Sequence, residues 1–312
     1  MGEERIPVEE WEVIIVGGGP AGITAGIYSS RNLHRTLLLE KGILGGQLNL
    51  APYIENYPSY PDGIPGWELA RKMGEQLQKT EVEVRREEVK EILKEKEFFK
   101  VRTEKAEYHT LSVIIATGGY PKKLGVEGEE RLIGKGVSYC GVCDAPLFRD
   151  KKIVVVGGGD TALTESLHLA QFAREVILIH RRENFRGAKA LQKKVLSHPK
   201  IKPILKSHLQ EIMGDKRVEG VKINQGGRIE FLPCEGVFIF VGFSPSSAFL
   251  GNLVEKDEEG YIITDEKMET KVKGIFACGD VRKKRDRQVI VACGEGAVSA
   301  QSAHEFLEKK ND

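Results

Sequence analysis

One strand-turn-helix-strand pattern occurs twice in this chain at identical spacing, and that repeat constrains the fold more than any other feature. In the first copy an apolar strand at 12–16 runs into Gly17-Gly-Gly19-Pro-Ala-Gly22, a helix follows over Pro20–Arg31, and a strand at Thr36–Glu40 ends on an acid. In the second, a strand at 152–156 runs into Gly157-Gly-Gly159-Asp160-Thr161-Ala162, with a helix expected over 160–172 and a strand over Glu175–Ile179. Gly17 to Glu40 and Gly157 to His180 each span 23 positions, so the copies can be laid over each other residue by residue. A short continuous apolar strand joined by a glycine turn to a helix is the mark of a βαβ unit, whose parallel strand is buried on both faces. Two copies predict an α/β chain with two nucleotide-binding folds.

Each glycine has a separate task. Gly17 permits the tight turn, Gly19 lets backbone approach a pyrophosphate, and Gly22 allows close helix packing, while Glu40 is placed to accept hydrogen bonds from ribose hydroxyls. The second copy has Ala162 for the third glycine and His180-Arg181-Arg182 where the first has Glu40, with Arg186 a turn further on. Arginine forks match a phosphate dianion and a carboxylate would repel it, so Arg181, Arg182 and Arg186 favour NADPH over NADH; the bland alternative is a solvated basic face. The net charge of +1 gives no reason to expect nucleic acid or a membrane as partner. The charge is nevertheless uneven, with 21 Lys and Arg against 14 Asp and Glu over 118–243, and 26 against 32 elsewhere.

Between the copies lies Cys140-Gly-Val-Cys143-Asp144. This spacing lets two thiols close into a small ring and cycle, with Asp144 next in sequence to supply or accept the proton that thiol exchange needs. Half a zinc site is the rival reading, but tetrahedral zinc needs two more ligands, and Cys234, Cys278 and Cys293 form no second pair. They read as small buried fillers. Turn chemistry at Thr117-Gly118-Gly119-Tyr-Pro121 and at Gly242-Phe-Ser-Pro245 suggests two chain crossings, so the second fold is inserted into the first: 1–118 and 244–312 form one domain, 119–243 the other. A closing helix is expected over 294–307. The acidic start, Met1 to Pro7, has no apolar core of a leader, and no apolar run nears the ~18 residues of a membrane span, which points to a soluble intracellular chain.

These motifs, in this order, resemble the low-molecular-weight thioredoxin reductases over nearly the whole chain. The resemblance rests on Gly17–Gly22, Gly45-Gly46-Gln47-Leu48, Glu55-Asn56-Tyr-Pro58, Ala116-Thr117-Gly118, Cys140–Asp144, Gly157–Gly159, His180-Arg-Arg182 with Phe185-Arg186, Gly279-Asp280, Arg287-Gln288 and 292–296. It implies two three-layer β/β/α Rossmann-like domains, the outer one binding FAD and the inserted one NADPH. It further implies flavin contacts at Glu40, Gly46, Gln47, Asn56, Thr117, Gly118, Gly279, Asp280, Arg287, Gln288 and Ala297, and NADPH contacts at Gly157, Gly159, Asp160, Thr161, His180, Arg181, Arg182 and Arg186. Cys143 would face the flavin, Cys140 would attack a thioredoxin- or glutaredoxin-like protein disulfide, and Asp144 would donate the proton. A cytoplasmic homodimer and rotation at the crossings near Gly118 and Gly242 are also implied. Cys278, Cys293 and the charged stretch Lys283-Lys-Arg-Asp286 depart from the family's usual residues.

Overall fold

The computed structural model describes residues 8–51 and 53–311; the acidic start at 1–7 lies outside them. The described residues divide into two compact units, one of 8–49, 54–120 and 244–311, the other of 50, 51, 53 and 121–243. The first unit thus extends through Tyr120, past the expected Gly118.

In the first unit the parallel strands lie in the order Glu83–Arg86, Thr36–Glu40, Val8–Val16, Glu107–Ile115, with Ile275–Ala277 pairing beside the C-terminal end of the last. The strand at Glu107–Ile115 does double duty. Its N-terminal half pairs antiparallel with Phe99–Thr103, which pairs in turn with Val89–Lys94, and this meander forms the second β layer. Alternation along Val8–Val16 shows both faces covered: Ile14 and Val16 join Val89, Ile92, Phe99 and Val101 in one core. Ile15 points the other way, toward Gly26 of helix Pro20–Arg31. This is why the strand reads as continuously apolar.

The second unit repeats the plan. Its parallel order is Ile201–Ile204, Glu175–Ile179, Lys152–Gly157, Gly236–Phe240, Val137–Ser138, covered by an antiparallel meander of Ser207–Met213, Gly220–Gln225 and Arg228–Pro233. Val154, Val156, Ile177 and Ile179 pack with Leu209, Ile212, Val221 and Ile223 of the meander. Ile153, Val155, Val176 and Leu178 pack with Leu163, Leu169 and Val195 of the helices. Both units are therefore three-layer β/β/α folds, with the second interrupting the first in sequence.

Two helix lengths differ from the sequence expectation. The helix read as 160–172 is Asp160–Leu169. The closing helix runs Val289–Asn311, not 294–307. Gly296, inside the expected span, serves packing: a Cβ there would stand 2.2 Å from the Ala21 carbonyl oxygen of the neighbouring helix. A glycine that looks like a breaker is here the point of close approach between two helices.

Candidate active site

The first glycine turn is shaped by contacts that no side chain could share. Gly17 has φ +107°, and a Cβ on it would stand 2.5 Å from the Ala116 oxygen; one on Gly22 would stand 1.8 Å from the Gly17 oxygen. Gly19 differs, because a Cβ there would meet nothing within 4 Å. Gly19 also caps helix Pro20–Arg31 without a side-chain bond, and no acid occupies its first turn. Open space before unsatisfied helix N–H groups suits an anionic pyrophosphate. Glu40 is held by two backbone donors, Gly18 N–H to Oε2 and Gly42 N–H to Oε1, both 2.6 Å. Its position is fixed by the turn it serves.

Other residues expected to contact flavin gather in the same unit. Asn56 donates to Gln288 Oε1 at 2.9 Å, Gln47 donates to the Gly119 oxygen at 3.0 Å, and Thr117 donates to the Ser246 oxygen at 2.7 Å. Gly46, Gln47, Asn56 and Arg287 are exposed, Gly118 and Ala297 half-buried, and the Arg287 guanidinium lies over the Tyr261 ring at 4.3 Å. The 279–295 segment contains an ion cluster that the sequence did not reveal. Glu295, buried, accepts from Gly279 N–H at 2.8 Å and Arg282 Nη1 at 2.8 Å, and Lys284 Nζ lies 3.2 Å from its Oε2 and 3.0 Å from Asp280 Oδ1. The charged run 283–286 thus sends Lys284 inward, with a 6% exposed side chain, to fix the acid expected at the ribityl chain.

The second turn uses different means. Gly157 is required because a Cβ would stand 2.4 Å from the Phe240 oxygen and 2.6 Å from the Ala162 methyl, which stands where the first copy has only Gly22. Gly159, like Gly19, faces open space. His180 is 5% exposed; its ring lies against Gly158 and Phe185, and its Nε2 pairs with the Asn184 oxygen at 3.1 Å. Burial lowers its pKa, as do Arg186, Arg182 and Arg181 nearby, while the bond to Asn184 opposes them. A neutral His180 therefore ties the arginine loop to the turn. The loop is fixed further by Arg186 N–H to the Gly158 oxygen at 2.7 Å and Ala188 N–H to Asp160 Oδ1 at 2.6 Å. Arg181, Arg182, Arg186 and Thr161 are exposed. Three exposed guanidinium groups beside an uncapped helix start fit a nucleotide carrying an extra phosphate.

Cys140 and Cys143 are joined as a disulfide, Cα–Cα 5.4 Å. Cys140 caps the short helix Gly141–Asp144, and the Cys143 N–H donates to its Sγ at 3.2 Å. Ser138 fixes the entry, accepting from Cys140 N–H at 3.0 Å and donating to the Cys140 oxygen at 3.1 Å. Cys143 is exposed, and Cys140 and Asp144 are half-buried. An N–H aimed at Sγ favours thiolate once the bond opens. The remaining cysteines are free and buried. Burial pushes the thiols of Cys234 and Cys278 up to about 12, so both stay protonated, and Cys293 accepts from the Tyr57 hydroxyl at 3.9 Å.

A family model described as pyridine nucleotide-disulphide oxidoreductase matches residues 11–296. The thioredoxin reductase of Listeria monocytogenes is 42% identical over 98% of this chain and 96% of that protein. That of Bacillus subtilis is 42% identical over 99% and 97%. A crystal structure of Lactococcus lactis thioredoxin reductase matches with a TM-score of 0.94 at 43% identity, covering 96% of this chain and 99% of that one. The T. acidophilum thioredoxin reductase matches at 0.92 and 34%, covering 95% and 98%.

Proposed function

The chain belongs to the pyridine nucleotide-disulphide oxidoreductases and, within them, to the thioredoxin reductases, and from that premise we propose that it carries electrons from NADPH by way of FAD and the Cys140–Cys143 pair to the disulfide of a thioredoxin-like protein. The observation that carries this reading is the closed disulfide at Cys140 and Cys143 in the same unit as the arginine-bearing glycine turn.

The first unit would hold FAD across Gly17, Gly19 and Gly22, with Glu40 on the adenosine ribose, Asp280 on the ribityl chain, and Gly46, Gln47, Asn56, Thr117, Gly118, Gly279, Arg287, Gln288 and Ala297 around the rest. The second would hold NADPH across Gly157, Gly159, Asp160 and Thr161, its 2′-phosphate on Arg181, Arg182 and Arg186. His180 would act by positioning that loop. When bound, the two cofactors supply the two-electron chemistry that opens the disulfide. The protein's own residues then handle protons and nucleophile. Reduction of the pair takes two electrons and two protons and yields two thiols. Cys140, with a backbone N–H at its sulfur, attacks the partner's disulfide as thiolate, and Cys143 then displaces the partner's thiol, restoring the intramolecular bond. Asp144 would protonate the departing thiolate.

Both the dithiol and the NADPH turn belong to the second unit, so they would be presented in turn by rotation at the crossings near Gly118 and Gly242. The resemblance further supports a homodimer in the cytoplasm; no helix among the described residues is long and apolar enough to cross a membrane. The reading is tested with Cys140→Ser. Flavin bleaching by NADPH should persist while turnover of a thioredoxin disulfide ends; turnover that survives the change would overturn the assignment.

A further inference from the structure

Helix Asp160–Leu169 carries a residue that the nucleotide turn does not use. Glu165 is 4% exposed, and a Cβ on Gly141 would stand 1.9 Å from its Oε2. The carboxyl therefore lies against the backbone of the residue that follows Cys140, beneath the turn that joins the two cysteines. Its Oε2 has no accessible surface and no hydrogen-bond partner. Laying the two βαβ copies over each other puts Ala25 at this position, and Ala25 is fully buried. The helix thus needs only a small apolar residue there.

An unpaired buried carboxylate is costly, so the group keeps its proton. Burial alone pushes Glu165 up to about 8. The titratable groups on the elements packed around it are Cys140, Cys143 and Asp144 at the redox turn, Asp160 and His168 on its own helix, Lys152, Glu175, and Lys189, Lys193 and Lys194 on the next helix. None of them bonds to the buried Oε2.

We propose that Glu165 is a positioning residue for the dithiol: held neutral under Gly141, it lets one of the two cysteines carry negative charge. The inference rests on the redox reading of Cys140 and Cys143 given above. Two negative charges could not both be accommodated if Glu165 ionised, because two anions would then share one poorly solvated site. The reactive state pairs protonated Glu165 with thiolate. Ionisation of Glu165 raises the thiol pKa and removes thiolate, and thiolate in turn holds the proton on Glu165, so the groups titrate as a coupled set.

The test is the rate at which iodoacetamide alkylates Cys140 and Cys143 in the reduced full-length protein, followed by mass spectrometry of the two peptides from about pH 6 to about pH 9, in wild type and Glu165→Gln. The wild-type and variant rates should converge at the acid end, and from about pH 8, while the thiol is still mostly protonated, the wild type should lag the glutamine variant by up to ~3–10-fold, the size of a half- to one-unit shift in thiol pKa. Superimposed profiles on a reducible pair would overturn this inference alone. A pair that no thiol reductant opens would overturn the redox reading, and this inference with it. If the variant does not fold, the wild-type infrared difference spectrum between disulfide and dithiol states decides. A carboxylic-acid carbonyl band should shift on reduction and, in the disulfide state, be lost above about pH 8, and a spectrum without that band would overturn the proposal.

Discussion

The two glycine turns share a backbone plan and differ in how each is locked. In the first, Glu40 reaches back with a carboxylate and accepts from Gly18 and Gly42; in the second, the His180 ring fills the space against Gly158 and bonds to Asn184 instead. One arrangement places negative charge at the end of its strand, the other a neutral ring with three arginines around it. A second difference lies in the helix contact. Gly22 lies so close to Gly17 that no methyl fits, whereas Ala162 places its methyl against Gly157. The same geometry has thus been given opposite charge, which is what two different nucleotides would require of a repeated fold.

The largest effect should come from crowding the close contact between Gly22 and Gly17 in the first copy. Gly22→Val puts a branched side chain where a Cβ alone would be 1.8 Å from the Gly17 oxygen, and should cost more than ~3 kcal/mol with loss of bound flavin. Thermal unfolding and the flavin spectrum check this; Ala162→Val should be milder. Next, Arg181→Ala with Arg182→Ala should weaken NADPH on the order of a hundredfold and leave NADH nearly unchanged, removing ~2–3 kcal/mol of charge-assisted bonding. Equal losses for the two nucleotides would break the contrast between the turns. The corresponding change in the first copy, Glu40→Gln, keeps an acceptor but adds a donor facing the Gly18 or Gly42 N–H, and should weaken flavin by about tenfold.

Helix positions Ala25 and Glu165 sharpen the comparison through pH. The folded pKa of Glu165 lies above its ordinary value of 4.5, at about 8, so its stabilising contribution is complete below about 4.5 and is lost as pH rises to about 8. Relative to wild type, Glu165→Gln should gain stability across that window at up to ~1.4 kcal/mol per pH unit. Denaturant midpoints at both ends of the window check this, and a constant difference would count against a buried proton.

Much of this architecture was legible because it depends on local rules. Pro20–Arg31, Thr36–Glu40 and Glu175–Ile179 keep the bounds that apolar runs and glycine turns suggested. The closing helix begins five residues before its expected start, and the packing of Gly296 on Ala21, some 275 residues earlier, was hidden because sequence shows a glycine without its neighbour. The role of Lys284 was hidden for the same reason, since Asp280 and Glu295 become its partners only when strand end and helix meet. Glu165 left one trace, an acid where the other copy has Ala25, and comparison of the repeats at every position would have found it. His180 was placed by register with Glu40, but register does not say whether a side chain faces the nucleotide or the loop behind it.

Anaerobic titration with NADPH, following the flavin spectrum and then adding a thioredoxin disulfide, tests most directly whether the two turns serve one electron path. NADPH should bleach the flavin, and the oxidised spectrum should return when the disulfide is added. Bleaching that only oxygen reverses, or a purified protein without a flavin spectrum, would contradict that path.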